Sequence, residues 1–164
     1  MHRILIALHK LTPEGQKTNT AGILQAMGDM LPARGMVVLI SDLLHPIDDM
    51  IGHLRSLRAQ RHDVLVFQIS DPAEQTFPFD RTITLVDAED GREQFAVPDA
   101  VRAGYLENRK RHFDAIRQAC LSSEIDTDEF VCSEPLDRAL HQFLHRRNRA
   151  LLTTSRRFGR TGGV

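Results

Sequence analysis

The spacing of apolar residues along the chain changes repeatedly between a helical pattern and a strand pattern. Apolar residues three and four positions apart predict amphipathic helices. These helices are expected over residues 1–11, 23–31, 46–57, 99–122 and 133–144. Continuous apolar runs predict strands buried on both faces, and they lie at 36–40, 63–70 and 128–132. Around Asp90-Gly91, the segments ITLV and QFAV alternate in the manner of a β-hairpin.

The order of these elements predicts the fold class. Strands that alternate with helices are typical of an α/β protein with a doubly wound, mostly parallel sheet and helices on both faces. Such sheets usually have about five or six strands, and fewer core strands are predicted here. The first strand, at 36–40, has no charge or proline that would protect a sheet edge. We therefore expect the C-terminal part of a larger domain. If the chain is a truncated product, dimers or aggregates are expected to form through this strand, with a homodimer through the 36–40 edge.

Composition and charge exclude several classes of protein. The 164 residues fit one domain, and a net charge of −1 gives no general attraction to nucleic acid or anionic membranes. The basic run HRRNR at 145–149 has no interleaved aromatic residues and is interpreted as the charged end of a helix. No apolar stretch approaches the ~20 residues of a membrane span. Two cysteines without metal-binding spacing, and no secretory signal, predict buried, reduced thiols in a cytoplasmic protein.

Polar side chains directly follow the first two predicted strands. Ser41 and Asp42 end the first strand, and Asp71 and Glu74 lie in DPAE after the second. Open α/β sheets bind ligands beyond the carboxyl ends of their strands, so these four residues are candidate site residues. The structural alternative is that they accept hydrogen bonds from free backbone N–H groups at turns and helix starts.

Two further motifs are interpreted as structural. The segment GQKT at 15–18 lacks the glycines of a phosphate-binding loop, which requires G-x-x-x-x-G-K-[ST]. His45, His53 and His62 surround the third helix without the spacing of a zinc-binding helix, and are expected to be solvated.

Several strings occur in the order typical of a known bacterial family. They are GQKT, RGMVVLISDLL, RSLRAQRHDVLVFQISDPAEQTFPF, AGYLENR and SEPLDRAL. With them the chain resembles the family called domain of unknown function 58 over residues 2–147. That family is similar in fold to the von Willebrand factor A domain. The resemblance implies an incomplete domain of this type at 1–147, followed by a basic tail at 148–164 that is expected to be disordered.

The resemblance also implies the remains of a metal site. Von Willebrand factor A domains hold a divalent cation with a D-x-S-x-S motif, a threonine and an aspartate. Thr18 and Asp42 match the threonine and the aspartate by position, but the chain contains no D-x-S-x-S. We therefore expect no cofactor in this chain, and Mg²⁺ only if the missing N-terminal segment is supplied.

The function that these observations favour is a non-catalytic protein-interaction domain without catalytic residues. Members of the family are often encoded beside MoxR-type AAA+ ATPases, so the resemblance implies such an ATPase as partner, in assembly or chaperone-like work. The expected partner surface comprises Thr18, Ser41, Asp42, His45, Asp71 and Glu74. Two alternatives stay open: a Mg²⁺-assisted hydrolase or phosphoryl-transfer enzyme using Asp42, Asp71 and His45, and a truncated product without independent function.

Overall fold

The structure is a computed structural model that describes residues 2–10, 19–31, 34–44, 47–87 and 91–158. The helices in these ranges are α1 His2–Lys10, α2 Thr20–Met30, α3 Ile47–Ala59, α4 Pro72–Thr76, α5 Pro98–Ser122 and α6 Leu136–Phe158. The strands are β1 Met36–Ser41, β2 Asp63–Ser70, β3 Ile83–Val86, β4 Glu93–Ala96 and β5 Asp126–Val131.

A parallel sheet of three strands, in the order β1-β2-β5, forms the centre of the fold. Met36 at the start of β1 lies opposite Asp63 of β2, and Ser70 at the end of β2 lies opposite Val131 of β5. The parallel pairing and the helices around it confirm the predicted fold class. Each of these strands also lies on the apolar run that predicted it, within two residues.

Helices cover the two faces of the sheet, and β2 contributes to both cores. Val64 and Val66 belong to a buried cluster with residues of α2, α3 and α5. Leu65 belongs to a second cluster on the opposite face, where α6 packs. This division follows from the alternation of side chains along a strand. Phe143 of α6 contacts Phe67 of β2 edge to face, with ring centroids 4.9 Å apart.

The predicted hairpin is confirmed and stands apart from the parallel sheet. β3 and β4 pair antiparallel, with Ile83 opposite Ala96 and Val86 opposite Glu93. Gly91 lies in the turn at a φ of 70°, a conformation that glycine adopts without a steric penalty. Its N–H donates to the carbonyl of Asp87 at 2.9 Å.

Residues at the N-terminal ends of α2 and α5 explain where these two helices begin. Asn19 caps α2 by accepting a hydrogen bond from the N–H of Gly22 at 2.9 Å. Pro98 occupies the first turn of α5, where its missing N–H is not needed. Within the described ranges, no helix combines the length and apolar character that crossing a lipid bilayer requires.

The last helix corrects the prediction for the C-terminal segment. α6 continues to Phe158 instead of ending at Leu144. The expectation of a disordered tail at 148–164 stays a prediction, and 159–164 lies outside the described residues. α6 continues because no glycine or proline interrupts the chain between Pro135 and Gly159. The division into a domain and a tail stays a prediction.

The structure corrects two expectations about burial: His62 is buried, and Cys132 is exposed. His62 is 1% exposed, and its Nδ1 accepts a hydrogen bond from the N–H of Gly35 at 3.0 Å, so the expectation of a solvated histidine is wrong there. This residue precedes β2 and lies beside the start of β1. Cys120 is buried as expected, but Cys132 is exposed, since it lies in the turn after β5.

Candidate functional site

Ser41 and Asp42 organise the turn after β1. The hydroxyl of Ser41 accepts a hydrogen bond from the N–H of Leu43 at 3.1 Å, and Oδ1 of Asp42 accepts one from the N–H of Leu44 at 3.4 Å. Leu43 has a φ of 57° and a buried side chain, so the chain turns sharply there. The side chains of Ser41 and Asp42 thus satisfy backbone donors in a left-handed turn, as the structural alternative predicts.

Asp71 and Glu74 form a capping box at the start of α4. Oδ1 of Asp71 accepts a hydrogen bond from the N–H of Ala73 at 2.8 Å, and Oε2 of Glu74 accepts one from the N–H of Asp71 at 3.4 Å. The sequence did not predict this five-residue helix, although the Asp-Pro-x-Glu pattern is a helix-start signal. The structure gives these carboxylates a structural role at the end of β2.

The structure describes four of the six predicted partner-surface residues. Thr18 and His45 lie outside the described residues. The other four lie at the carboxyl ends of β1 and β2, which are parallel neighbours, so both turns lie at the same edge of the sheet. The hydrogen bonds described for these side chains remain within their own turns.

A cavity of about 260 Å³ lies beside these two turns, between them and the middle of α5. The residues that line it are Leu44, Glu74, Tyr105, Asn108, Arg109, His112 and Phe113. His112 fixes α5 to the turn after β1, because its Nε2 lies 2.7 Å from the carbonyl oxygen of Leu43. Burial and the neighbouring Glu74 carboxylate raise the pKa of Tyr105, so its phenol is protonated at neutral pH.

A polar network next to this cavity is centred on Glu129 of β5. Its Oε1 accepts hydrogen bonds from Ser70 at 2.7 Å, from Gln75 at 3.0 Å and from Arg109 at 2.9 Å. Burial alone would raise the pKa of Glu129, but these hydrogen bonds and the charge of Arg109 hold it below its ordinary value. The network therefore contains a carboxylate that is ionised at neutral pH and tied to β2, α4 and α5.

Arg109 is the positive member of this network. Its guanidinium carbon lies 4.7 Å from the ring centroid of Phe113, a cation–π distance. Its Nε is the one buried side-chain nitrogen or oxygen in the described part of the chain that has no hydrogen-bond partner. The polar and charged groups lining the cavity thus include the Arg109 guanidinium, the Tyr105 phenol, the His112 imidazole and the Glu74 carboxylate.

Sequence reasoning missed Glu129, Arg109, Tyr105 and His112. The last three lie at helical spacing on α5, where they are indistinguishable from solvated helix residues without the rest of the fold. Glu129 had a signal, because a carboxylate within a short core strand needs a partner. The partners come from distant parts of the chain and depend on the register of β2 with β5.

The described residues do not complete a magnesium site. Within the described ranges, no three His, Cys, Asp or Glu side chains form a group that could hold a metal ion. Mg²⁺ requires near-octahedral oxygen coordination, and Oδ1 of Asp42 is engaged with the N–H of Leu44. The pairing of Thr18 with Asp42 stays a prediction.

The fold and this edge of the sheet define an α/β protein with a parallel sheet, a separate hairpin and a polar surface at the carboxyl ends of the strands. The chain belongs to the family described as "Protein of unknown function DUF58", whose model matches residues 1–115. This confirms the predicted bacterial family. The likeness to the von Willebrand factor A domain stays a prediction.

Curated relatives occur in mycobacteria, and all of those compared are named uncharacterized proteins. One from Mycobacterium tuberculosis and one from Mycobacterium bovis are each 34% identical over 108 residues, which cover 65% of this chain and 33% of the relative. A protein from Mycobacterium avium is 30% identical over 110 residues, which cover 65% of this chain and 63% of the relative. The matched part spans about a third of the first two relatives. No solved structure matches.

Proposed function

We propose that the chain is a non-catalytic protein-interaction domain. Its partner would bind the carboxyl-end surface, which we define as Ser41, Asp42, Leu44, Asp71 and Glu74 with the adjoining cavity. The observation that carries this proposal is Leu44, which is 62% exposed and lines the cavity of about 260 Å³. An apolar side chain beside a cavity, with charged residues around it, matches the apolar centre and polar rim of a protein interface.

The roles of the carboxylates support a binding function over a catalytic one. A general acid or base needs a carboxyl group that can reach the substrate and exchange its proton. Asp71 and Glu74 instead cap α4, and Asp42 holds the turn after β1. Glu129 is ionised within a network of hydrogen bonds. These contacts fix the shape of the surface, which is what a binding site requires.

The partner in this proposal is a MoxR-type AAA+ ATPase. Its support is the resemblance of the chain to a family that is often encoded beside such ATPases. Thr18 and His45 would extend the carboxyl-end surface, because they flank Asp42 in the predicted arrangement. A likeness to the von Willebrand factor A domain, also part of this proposal, would place the surface where those domains bind their ligands.

The test is a pair of matched leucine variants. Leu44→Glu places a charge at the centre of the proposed surface, whereas Leu121→Glu changes a leucine of equal exposure, 61%, at the far end of α5. We expect Leu44→Glu to weaken binding to a purified MoxR-type ATPase at least about tenfold, since the interface would bury a carboxylate that has no partner. Leu121→Glu should leave the affinity unchanged in the same biolayer interferometry assay. Equal effects of the two variants would contradict the proposal.

The rival function is metal-assisted hydrolysis, and a different assay decides it. Phosphoester substrates are incubated with the full chain and Mg²⁺ or Mn²⁺, alongside the Asp42→Ala variant. The proposal expects no turnover by either protein. Turnover that is present in the native chain and absent in Asp42→Ala would replace the interaction proposal with the hydrolase.

A further inference from the structure

α6 carries two histidines at the spacing of a helical metal-binding pair. His141 and His145 are four residues apart in HQFLH, and they are the one pair with this spacing among the eight histidines of the sequence. Residues at i and i+4 lie on the same face of a helix, one turn apart. This is also the spacing of the two zinc ligands in H-E-x-x-H helices. The histidines around α3 lack it.

Both histidines lie on the outer face of a helix that is fixed to the sheet. Phe143, midway between them, is 5% exposed and contacts Phe67 of β2. Side chains two positions from Phe143 lie on the opposite side of the helix, and both histidines are exposed. Arg147 pairs with Asp63 and Asp126, which ties the next turn of α6 to the strands. An ion that binds here therefore does not have to order the backbone, and such preorganisation favours binding.

The two imidazole rings stand at the separation that a shared metal ion requires. The ring centroids of His141 and His145 are 5.1 Å apart, and the ring planes make an angle of 62°. A zinc ion lies about 2.0–2.1 Å from a ligating imidazole nitrogen, and hence about 3.2 Å from the centroid of that ring. Two centroids 5.1 Å apart and each about 3.2 Å from one ion subtend an angle of about 105° at the ion. This value is close to the tetrahedral angle of zinc sites.

The charges next to the pair are largely balanced. Arg146 directly follows the second histidine, but its guanidinium is paired with Asp128 of β5. Asp137 lies one turn before the first histidine and offsets the charge of its neighbour Arg138. The net positive charge of α6 as a whole still disfavours a cation. We therefore expect micromolar affinity, well below that of a structural zinc site.

We propose that His141 and His145 bind one transition-metal ion per chain, of the class that imidazole ligands favour: Zn²⁺, Cu²⁺ or Ni²⁺. Water fills the remaining coordination positions. This site differs from the Mg²⁺ site that the resemblance implies, because Mg²⁺ prefers oxygen ligands. Gln142 stands where H-E-x-x-H helices have their catalytic glutamate, so the pair binds a metal without supplying a general base.

The first test is titration of the full chain with Zn²⁺ by isothermal titration calorimetry. All the proteins carry Cys132→Ser, because the exposed thiol could also bind the ion. We expect one ion per chain, and we expect His141→Gln to raise the dissociation constant at least about tenfold, since one imidazole cannot chelate. The absence of saturable binding, one ion per two chains, or native affinity in His141→Gln would each overturn the proposal.

A swap of two residues provides the matched control. His145→Gln combined with Gln142→His keeps the composition of α6 and its number of histidines, but it places the second imidazole about 100° around the helix from the first. The swapped protein should bind Zn²⁺ as weakly as His141→Gln does. His53→Gln, which removes a histidine of α3, should leave the affinity unchanged. Native affinity in the swapped protein would mean that the ion binds elsewhere.

The second test identifies the ligands with Cu²⁺ as the probe. Pulsed electron paramagnetic resonance should show coupling to two imidazoles in the Cys132→Ser chain, and to one after His145→Gln. Coupling to a single imidazole before that change would contradict a shared ion. The substituted residues lie outside the carboxyl-end surface, so the swapped protein should still bind the ATPase. The metal site and the interaction domain can therefore fail separately.

Discussion

At the scale of single residues, the two cysteines differ sharply in environment. Cys120 is fully buried on α5, and this burial raises the pKa of its thiol to about 11. Cys132 is exposed in the turn after β5. Only the thiolate reacts rapidly with alkylating reagents. A buried thiol with a raised pKa should therefore resist alkylation while the chain is folded.

We predict that iodoacetamide at pH 8 modifies Cys132 and leaves Cys120 unmodified in the native protein. Mass spectrometry should find a single adduct on the folded chain, and a second one after guanidinium denaturation. Cys132→Ser removes the native adduct and serves as the control. Rapid double labelling without denaturant would show that α5 opens readily.

At the scale of elements, Glu129 joins β5 to β2, α4 and α5 by charge-assisted hydrogen bonds. We predict that Glu129→Gln lowers the free energy of unfolding at pH 7 by about 1.5–3 kcal/mol, the usual value of a hydrogen bond to a charged group. Glu124→Gln is the control. Its side chain is 84% exposed in an ion pair with Arg58, and such surface pairs contribute about 0–1 kcal/mol.

The effect of Glu129→Gln should also depend on pH. The pKa of Glu129 is lowered in the folded state, so its contribution is present above the ordinary glutamate pKa. It is lost as the pH falls through the folded-state value. The difference between the native chain and Glu129→Gln should therefore shrink from pH 7 to pH 3 in urea titrations. A difference that stayed constant would mean that the charge of Glu129 does not contribute.

The elements also show what could be predicted from the sequence and what could not. Strands such as β2 are marked by continuous apolar runs, so their positions and parallel pairing were predictable. The carboxyl-end location of Asp42 and Asp71 was predictable for the same reason. The contacts of Glu129 were not, since they depend on strand register and on the rotation of α5 about its axis. The end of α6 at Phe158 could not be predicted from apolar spacing, because the segment after Leu144 is mostly basic and polar.

At the scale of the whole molecule, the parallel sheet separates two cores of unequal size. The larger lies under α2, α3 and α5, and the smaller lies under α6, around Phe67, Phe130 and Phe143. Ion pairs reinforce the smaller one: Arg147 of α6 bonds to Asp126 at 2.8 Å and also to Asp63. Because β2 contributes side chains to both cores, loss of either core should destabilise the other.

We predict that Phe143→Ala lowers the free energy of unfolding of the chain by about 3 kcal/mol, since Phe143 is 5% exposed and large-to-small core changes cost this much.

Two probes test whether the cores unfold together. Far-UV circular dichroism follows all the helices, and the fluorescence of Tyr105, the one tyrosine in a chain without tryptophan, follows α5 across the sheet from α6. Both urea midpoints should fall equally, whereas Phe95→Ala, at a hairpin residue that is 76% exposed, should move neither. A lower midpoint by circular dichroism alone would mean that α6 detaches independently.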